Sequence, residues 1–379
     1  MTRTESPDIA HIARPYLYGG EEAAIASALS AGQYNHGALT EEFEQRIAAF
    51  LGVPDVVAVA SGTAALHVAL LAAGVGPGHE VLVPSFTFCA TVQAIVATGA
   101  RPRFIEVDPG TCCVEAAEVL GALTPDTRAV MPVLYGGRAV DLAPARPALD
   151  EQGVTVVEDA AQAFGSWQQE RRVGATGEVT CFSFGPVKNL TCGLGGAIVP
   201  RTPMEADTYR QLRGLGIIES AARRAETTTY TVDGFGMRVQ MSPLNAAVGL
   251  VQLDHFAEAE TRRRALWRAY AAALDGVGGV VLVDADVEHT VPPMCAVRVL
   301  DGRRDEVFRA LRKRGIGVGV HYPPNHTQPA FAQWHRPLPL TERLGREVMT
   351  LPFHQHLTEA DARHAADELR QVLAAGAGR

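Results

Sequence analysis

Val157-Glu158-Asp159-Ala160-Ala161-Gln162-Ala163-Phe164-Gly165-Ser166 carries an apolar strand pattern into two adjacent acids. A second run, Cys181-Phe182-Ser183-Phe184-Gly185-Pro186-Val187-Lys188-Asn189, carries another into a lysine. Around this pair, from Val56 to about Pro200, short β-branched or apolar runs alternate with longer helical patterns, the mark of an α/β layer architecture. The strand candidates are Val56–Val59, Glu80–Pro84, Arg103–Val107, Ala129–Leu134, Val154–Glu158, Val179–Phe184 and Ala197–Val199. Helices fit between several of them, at Ala64–Ala73, Ala90–Thr98 and Leu142–Gln152.

After Leu244 the pattern turns helical, through Ala246–Leu253 and an arginine-rich stretch from Arg262 to Leu274 that reads as a long connecting helix. A smaller α+β unit comes next. It has strands at Cys295–Leu300 and Gly317–His321, a helix over Asp305–Arg314 and a final helix over Glu359–Ala374, with Asp301 and Thr358 as expected N-caps. The chain of 379 residues has room for two units. The expected division is a large one over residues 1–255, N-terminal arm included, and a small one over 256–379.

A hydrophobic content of 47% with 20% charged residues excludes disorder, and a formal charge of -8 with no basic run excludes an electrostatic footprint for nucleic acid. Met1 to Pro15 lacks the apolar centre of a secretory signal, so a cytoplasmic location is expected. The most apolar stretch, Val56 to Val75, is broken by Ser61, Gly62, Thr63 and His67 and reads as strand plus buried helix, not as a membrane span. Six cysteines show no zinc-type spacing, and the side chains of adjacent Cys112 and Cys113 would leave opposite faces of a strand. No metal site is expected.

An acid at one strand end and a lysine after the next strand are what a pyridoxal 5'-phosphate site requires. A buried carboxylate at Asp159 would keep the pyridine nitrogen protonated, and Lys188 would form the Schiff base and then shuttle a proton once a substrate amine displaces it. Ser61-Gly62-Thr63 opens the helix after the first strand, where free N–H groups, the helix dipole and two hydroxyls converge on a phosphate. Ser183 leaves the same strand end as Lys188 and is a second phosphate candidate. Phe88 is placed to stack on the ring, and Gln162, one turn after Asp159, to donate to the phenolic oxygen.

With these motifs in view, the chain resembles the DegT/DnrJ/EryC1/StrS sugar aminotransferases of fold type I. The resemblance runs through Gly37-Ala38-Leu39, Ser61 to Leu66, Pro84 to Phe88, Glu158 to Gln162, Ser183 to Asn189, His321-Tyr322-Pro323, Gln328-Pro329-Ala330-Phe331 and Leu351-Pro352-Phe353-His354. It implies a large, mostly parallel seven-stranded sheet domain with a smaller α+β C-terminal domain, and a homodimer with shared sites. By position it also implies Lys188 and Asp159 as catalytic residues, and His326 and His321 at the substrate entrance. Three departures stand out: Leu194 where an acid is common, Gly185 where an aromatic is usual, and Arg238-Val239-Gln240-Met241 where Asn-Tyr-Arg-Met is frequent. Arg238 is therefore expected to take the asparagine's place at the phosphate, a task a guanidinium performs well.

The implied reaction moves an amino group from L-glutamate or L-glutamine to a keto group of a nucleotide-linked deoxysugar. A free cyclic ketone as acceptor and a non-catalytic regulatory member of the fold are the alternatives. A related dehydratase would have histidine in place of Lys188. A nicotinamide enzyme is disfavoured because Gly193-Leu194-Gly195-Gly196 and Gly315-Ile316-Gly317-Val318-Gly319 do not form a GxGxxG turn after the first strand. The sugar carbon, nucleotide, amine stereochemistry and donor stay open.

Overall fold

The computed structural model describes residues 8–219 and 221–376. Its strands are β1 (Val57–Val59), β2 (Glu80–Pro84), β3 (Arg101–Ile105), β4 (Thr127–Val130), β5 (Thr155–Asp159), β6 (Trp167–Gln168), β7 (Arg171–Arg172), β8 (Val179–Ser183), β9 (Gly196–Val199), β10 (Val280–Leu282), β11 (Cys295–Val299) and β12 (Val348–Leu351). The helices are α1 (Glu21–Ser30), α2 (Ala38–Leu51), α3 (Gly62–Ala72), α4 (Cys89–Ala97), α5 (Ala116–Ala122), α6 (Arg146–Glu151), α7 (Pro203–Arg213), α8 (Ala221–Glu226), α9 (Pro243–Asp254), α10 (Phe256–Leu274), α11 (Arg304–Lys313), α12 (Pro339–Glu347) and α13 (Glu359–Gly376).

The seven strands expected from the sequence form one sheet in the order β1-β9-β8-β5-β4-β2-β3. Five of them, from β8 across to β3, pair parallel, and β9 lies antiparallel to both its neighbours. Alternation along each strand divides the core into two layers. Val57, Val59, Val81, Val83 and Val157 face the core built with α3 and α4, whereas Ala58, Leu82 and Val156 face the opposite one. Asp159 shares the parity of Val157. It ends β5 at the carboxyl edge of the parallel strands, where open α/β sheets place their ligands.

Two devices hold the segments that leave this edge. Phe164 packs its ring against Phe50, Phe182, Phe184 and Phe256 at centroid distances of 5.0–5.5 Å, which anchors the turn after Asp159. Arg213 of α7 pairs with Glu44 of α2 in the buried interior. The same guanidinium donates to the Ala58 carbonyl, and Glu44 Oε1 accepts the Ala58 N–H at 2.8 Å. Both sides of β1 are thereby fixed just before the chain turns into α3.

The C-terminal sheet, β10-β11-β12, is antiparallel and packs on α10, α11 and α13 around Tyr270, Val297, Val299, Leu311, Leu351 and Leu369. The strand expected at Gly317–His321 is reduced to one bridge, Gly319 with Thr350. The N-terminal segment intrudes here: Gly317 donates its N–H to the Ile9 carbonyl at 2.9 Å, and a Cβ on Gly319 would stand 2.3 Å from Ile12 Cδ1. Asp301 is not the N-cap of α11. It occupies a left-handed turn at φ 58°, and Arg303 stands at the cap without a side-chain bond. Thr358 does cap α13, accepting from the Asp361 N–H at 3.2 Å while Asp361 accepts from its own N–H at 2.8 Å.

Replacing Glu44 by Ala leaves the Arg213 charge buried without its counter-ion, a defect that costs about 3–5 kcal/mol. Urea unfolding of the Glu44→Ala protein should show a loss of that order, and a loss under about 1 kcal/mol would mean the pair does not brace β1.

Candidate active site

Asp159 is buried, and three groups fix it. Thr91 of α4 donates its hydroxyl to Oδ2 at 2.7 Å, the Ala161 N–H donates to Oδ1 at 3.1 Å, and the Leu134 N–H holds the Asp159 carbonyl at 3.0 Å. Thr91 receives the Thr87 hydroxyl at 2.9 Å, one helical turn earlier. Burial pushes the Asp159 carboxyl above its ordinary value against the pull of Thr91, the Ala161 amide and the charge of Lys188.

Lys188 stands in the loop after β8, its N–H turned back to the Gly185 carbonyl at 3.2 Å. Burial lowers its pKa, and the Asp159 charge opposes that shift. Each group thus feels the other, and both belong to one site. His321 feels Lys188 as well: burial and that positive charge both hold the imidazole neutral. Its Nδ1 lies 2.8 Å from Thr350 Oγ1.

Gln162 is committed on both sides. Its Oε1 accepts the Gly136 N–H at 2.8 Å, and its Nε2 donates to the Tyr322 hydroxyl at 3.1 Å. Burial and the Asp159 charge raise the Tyr322 phenol well above its usual range, so it stays neutral as a hydrogen-bonding group. Phe88 sits at the N-cap of α4, 56% exposed, with its ring 5.7 Å from that of Tyr322. Tyr135 donates its hydroxyl to the His321 carbonyl at 2.6 Å, tying the C-terminal loop to the edge of the large sheet.

Beside Lys188 the backbones converge. Ser61 caps α3 by accepting the Ala64 N–H at 3.1 Å, and the other N–H groups of a helix's first turn have no carbonyl partner within the helix. A Cβ on Gly62 would fall 2.6 Å from Ser183 Cβ, and one on Gly196 would fall 2.5 Å from the Ser61 carbonyl carbon. A Cβ on Gly185 would meet both Ser183 Oγ at 3.7 Å and Lys188 Cγ at 3.9 Å. Thr63 is exposed at the mouth.

Asp159, Lys188, Gln162, Phe88 and His321 are therefore brought together, with Ser61, Gly62, Thr63 and Ser183 along the same edge. Arg238 is exposed on a segment that bridges to Gly214 and runs beside β1, where Val239 accepts the Ala60 N–H at 2.7 Å. His326 does not line an entrance: it is fully buried, with Nδ1 2.6 Å from Ser85 Oγ. The proline-flanked loop folds inward because Asn325 donates to the Ser85 and Thr87 carbonyls at 3.1 and 2.7 Å. Thr91, Tyr135 and Tyr322 were missed as site residues. Threonines four apart across the start of an apolar helix, and a tyrosine next to His321, were the available signals.

A seven-stranded sheet of this order, with a buried carboxylate and a coupled lysine at its carboxyl edge, defines a pyridoxal-phosphate-dependent aminotransferase of fold type I. The chain belongs to the DegT/DnrJ/EryC1/StrS aminotransferase family, whose model matches residues 17–370. It is 36% identical to the dTDP-3-amino-3,4,6-trideoxy-alpha-D-glucose transaminase of Streptomyces venezuelae, over 98% of this chain and 97% of that protein. Among solved structures it is similar to S. venezuelae DesV in complex with a ketimine intermediate, at TM-score 0.87 and 36% identity over 95% of this chain and 98% of that one. It is also similar to the aminotransferase TlmJ of Streptoalloteichus hindustanus, at TM-score 0.89 and 34% identity over 96% and 99%. Pyridoxal 5'-phosphate is the cofactor of this enzyme class.

Alanine at position 62 must push Ser183 away from the N-terminus of α3. The Gly62→Ala enzyme should bind pyridoxal 5'-phosphate about tenfold or more weakly, ~1.4 kcal/mol, measured by absorbance titration after cofactor removal. Unchanged affinity would show that the phosphate is held elsewhere.

Proposed function

We propose that this enzyme transfers an amino group from L-glutamate or L-glutamine to a keto group of a nucleotide-linked deoxysugar, through a Schiff base at Lys188. The observation that carries the reading is the buried Asp159 carboxylate electrostatically coupled to Lys188 at one sheet edge. The choice of acceptor is supported by the full-length similarity to a nucleotide-sugar transaminase.

The residues fit the cofactor. Asp159 is a buried acid that forms no ion pair among the described residues and feels Lys188 only as a weaker influence than its burial, so a protonated heterocycle against it would favour its ionised form. Glycine at 62 lets the N-terminus of α3 close directly on Ser183, so a phosphate could be held there by Ser61, Thr63, Ser183 and backbone N–H groups. When bound, pyridoxal phosphate supplies an electron sink for negative charge at the substrate carbon. Thr91 orients Asp159, which would hold the ring-nitrogen proton. Lys188, whose basicity burial lowers, would move a proton at the substrate carbon. Phe88 and Tyr322, 5.7 Å apart, would flank the bound ring, and Gln162 holds the Tyr322 hydroxyl at 3.1 Å.

The reading extends to a homodimer with shared sites. Leu215, Ile218, Tyr230, Val232 and a fully exposed Phe235 lie on the excursion between α7 and α9, while Val187 and Leu194 are exposed beside the lysine loop. Such apolar exposure marks an interaction surface. Arg238, exposed on the same excursion, would then reach the partner's phosphate. Cytoplasmic action is part of the proposal and is supported by six free cysteine thiols. No helix among the described residues is long and apolar enough to cross a membrane.

Mass spectrometry of products from a panel of 3-keto and 4-keto nucleotide sugars with glutamate and glutamine tests the acceptor. One nucleotide sugar should be aminated, and amination of free cyclic ketones alone would overturn the assignment. Lys188→Ala should lose the visible absorbance of the lysine-bound cofactor and roughly 10²–10⁴-fold or more of the turnover. Phe235→Asp should weaken dimerisation by about 2 kcal/mol or more in light scattering across a dilution series, and an unchanged mass profile would remove Phe235 from the interface.

A further inference from the structure

We propose that His326, His335 and Glu342 form a binding site for one divalent transition-metal ion, zinc being the best match, outside the aminotransferase centre. Their ligand atoms all lie within 4.8 Å of one another. His326 Nε2 and Glu342 Oε1 are 3.5 Å apart. Tetrahedral zinc with bonds of roughly 2.0–2.1 Å sets its ligands about 3.4 Å from each other, so this edge already has the required length.

His326 is the anchoring ligand. Its ring is fully buried, its Nε2 has no hydrogen-bond partner, and its Nδ1 is fixed by Ser85 Oγ at 2.6 Å. A metal-bound imidazole ordinarily has this arrangement, one nitrogen oriented by an outer partner and the other free for the ion. Glu342 stands in the first turn of α12, where Oε1 accepts the Leu338 N–H at 3.3 Å. His335 closes the set from the turn after Pro329–Trp334, its ring centroid 5.5 Å from that of His326 and its side chain exposed. A rotation of that side chain brings the third ligand in and leaves the fourth position to water. Two imidazoles and one carboxylate suit zinc and exclude calcium or magnesium, which take oxygen ligands.

The ion would act as a brace. Ser85, which orients His326, begins the segment that carries Thr87 and Phe88, and Asn325 beside His326 holds the Ser85 and Thr87 carbonyls. Metal at this point would clamp the 325–342 stretch onto the segment that presents Phe88, without touching the reacting atoms.

The test uses holoenzyme stripped of metal by a chelator and dialysed, then titrated with Zn²⁺ by calorimetry, with metal content measured by mass spectrometry. The expected result is one zinc per chain and a higher melting temperature. His335→Ala and Glu342→Gln should each weaken binding by at least about 10–100-fold, the loss that even an outer partner brings, while the cofactor absorbance stays unchanged. His335 is exposed, so its removal leaves the fold intact where a change at His326 would not. Absence of stoichiometric zinc in the parent enzyme overturns the site, as does equal binding in both variants. Zinc uptake that disappears when pyridoxal 5'-phosphate is removed overturns it too, because the ion would then sit on the cofactor. None of these readouts depends on the sugar acceptor.

Discussion

The structure turns on a carboxylate held out of water at the end of β5. Asp159 cannot relax toward solvent, because Thr91 and the Ala161 amide fix its oxygens and the Leu134 amide fixes its backbone. Burial raises its pKa, and the Thr91 hydroxyl, the Ala161 amide and the Lys188 charge pull it back toward the ionised form. Lys188 loses basicity to the same burial. An acid wanting a cation and an amine poised to lose its proton are therefore produced by one cause, the depth of the sheet edge.

The rest of the fold can be understood as support for that edge. Alternation along β5 sends Asp159 and Glu158 to opposite faces, and Glu158 is consumed structurally: Thr180 donates to it at 2.7 Å and burial raises its pKa to about 7. The Phe164 cluster fixes the turn after Asp159, and the Glu44–Arg213 pair fixes the strand that leads into Ser61. The C-terminal part completes the wall through Tyr135 on the His321 carbonyl and Gln162 on the Tyr322 hydroxyl. Gln162, expected from the sequence to donate to the cofactor's phenolic oxygen, accepts the Gly136 N–H and donates to the Tyr322 hydroxyl.

Legibility differed by the kind of interaction involved. All seven strands of the large sheet were readable, because strands buried on both faces, parallel or not, are short apolar runs bounded by turn residues. Strands β10 and β12 were not singled out, since Val280–Leu282 is short and Val348–Leu351 continues the pattern of α12 without a turn signal. Gly317–His321 has a strand's composition, yet only Gly319 pairs with β12 while Gly317 donates its N–H to the Ile9 carbonyl of the N-terminal segment, a competition that no local window contains. Asp301 is a good capping residue in general, but the chain passes it in a left-handed turn before α11 starts.

Sequence alone determined the layer architecture and the acid and lysine that close consecutive parallel strands, because periodicity and strand ends are local properties of the chain. Tertiary structure decided which polar groups face one another: Thr91 under Asp159, Tyr322 against Gln162, and His326 turned into the interior beside Ser85. Those pairings span 68 residues for Thr91, 160 for Tyr322 and 241 for His326, and they depend on how the C-terminal loop packs on the sheet edge. Contacts set by packing between distant segments leave no periodic trace in the sequence that forms them.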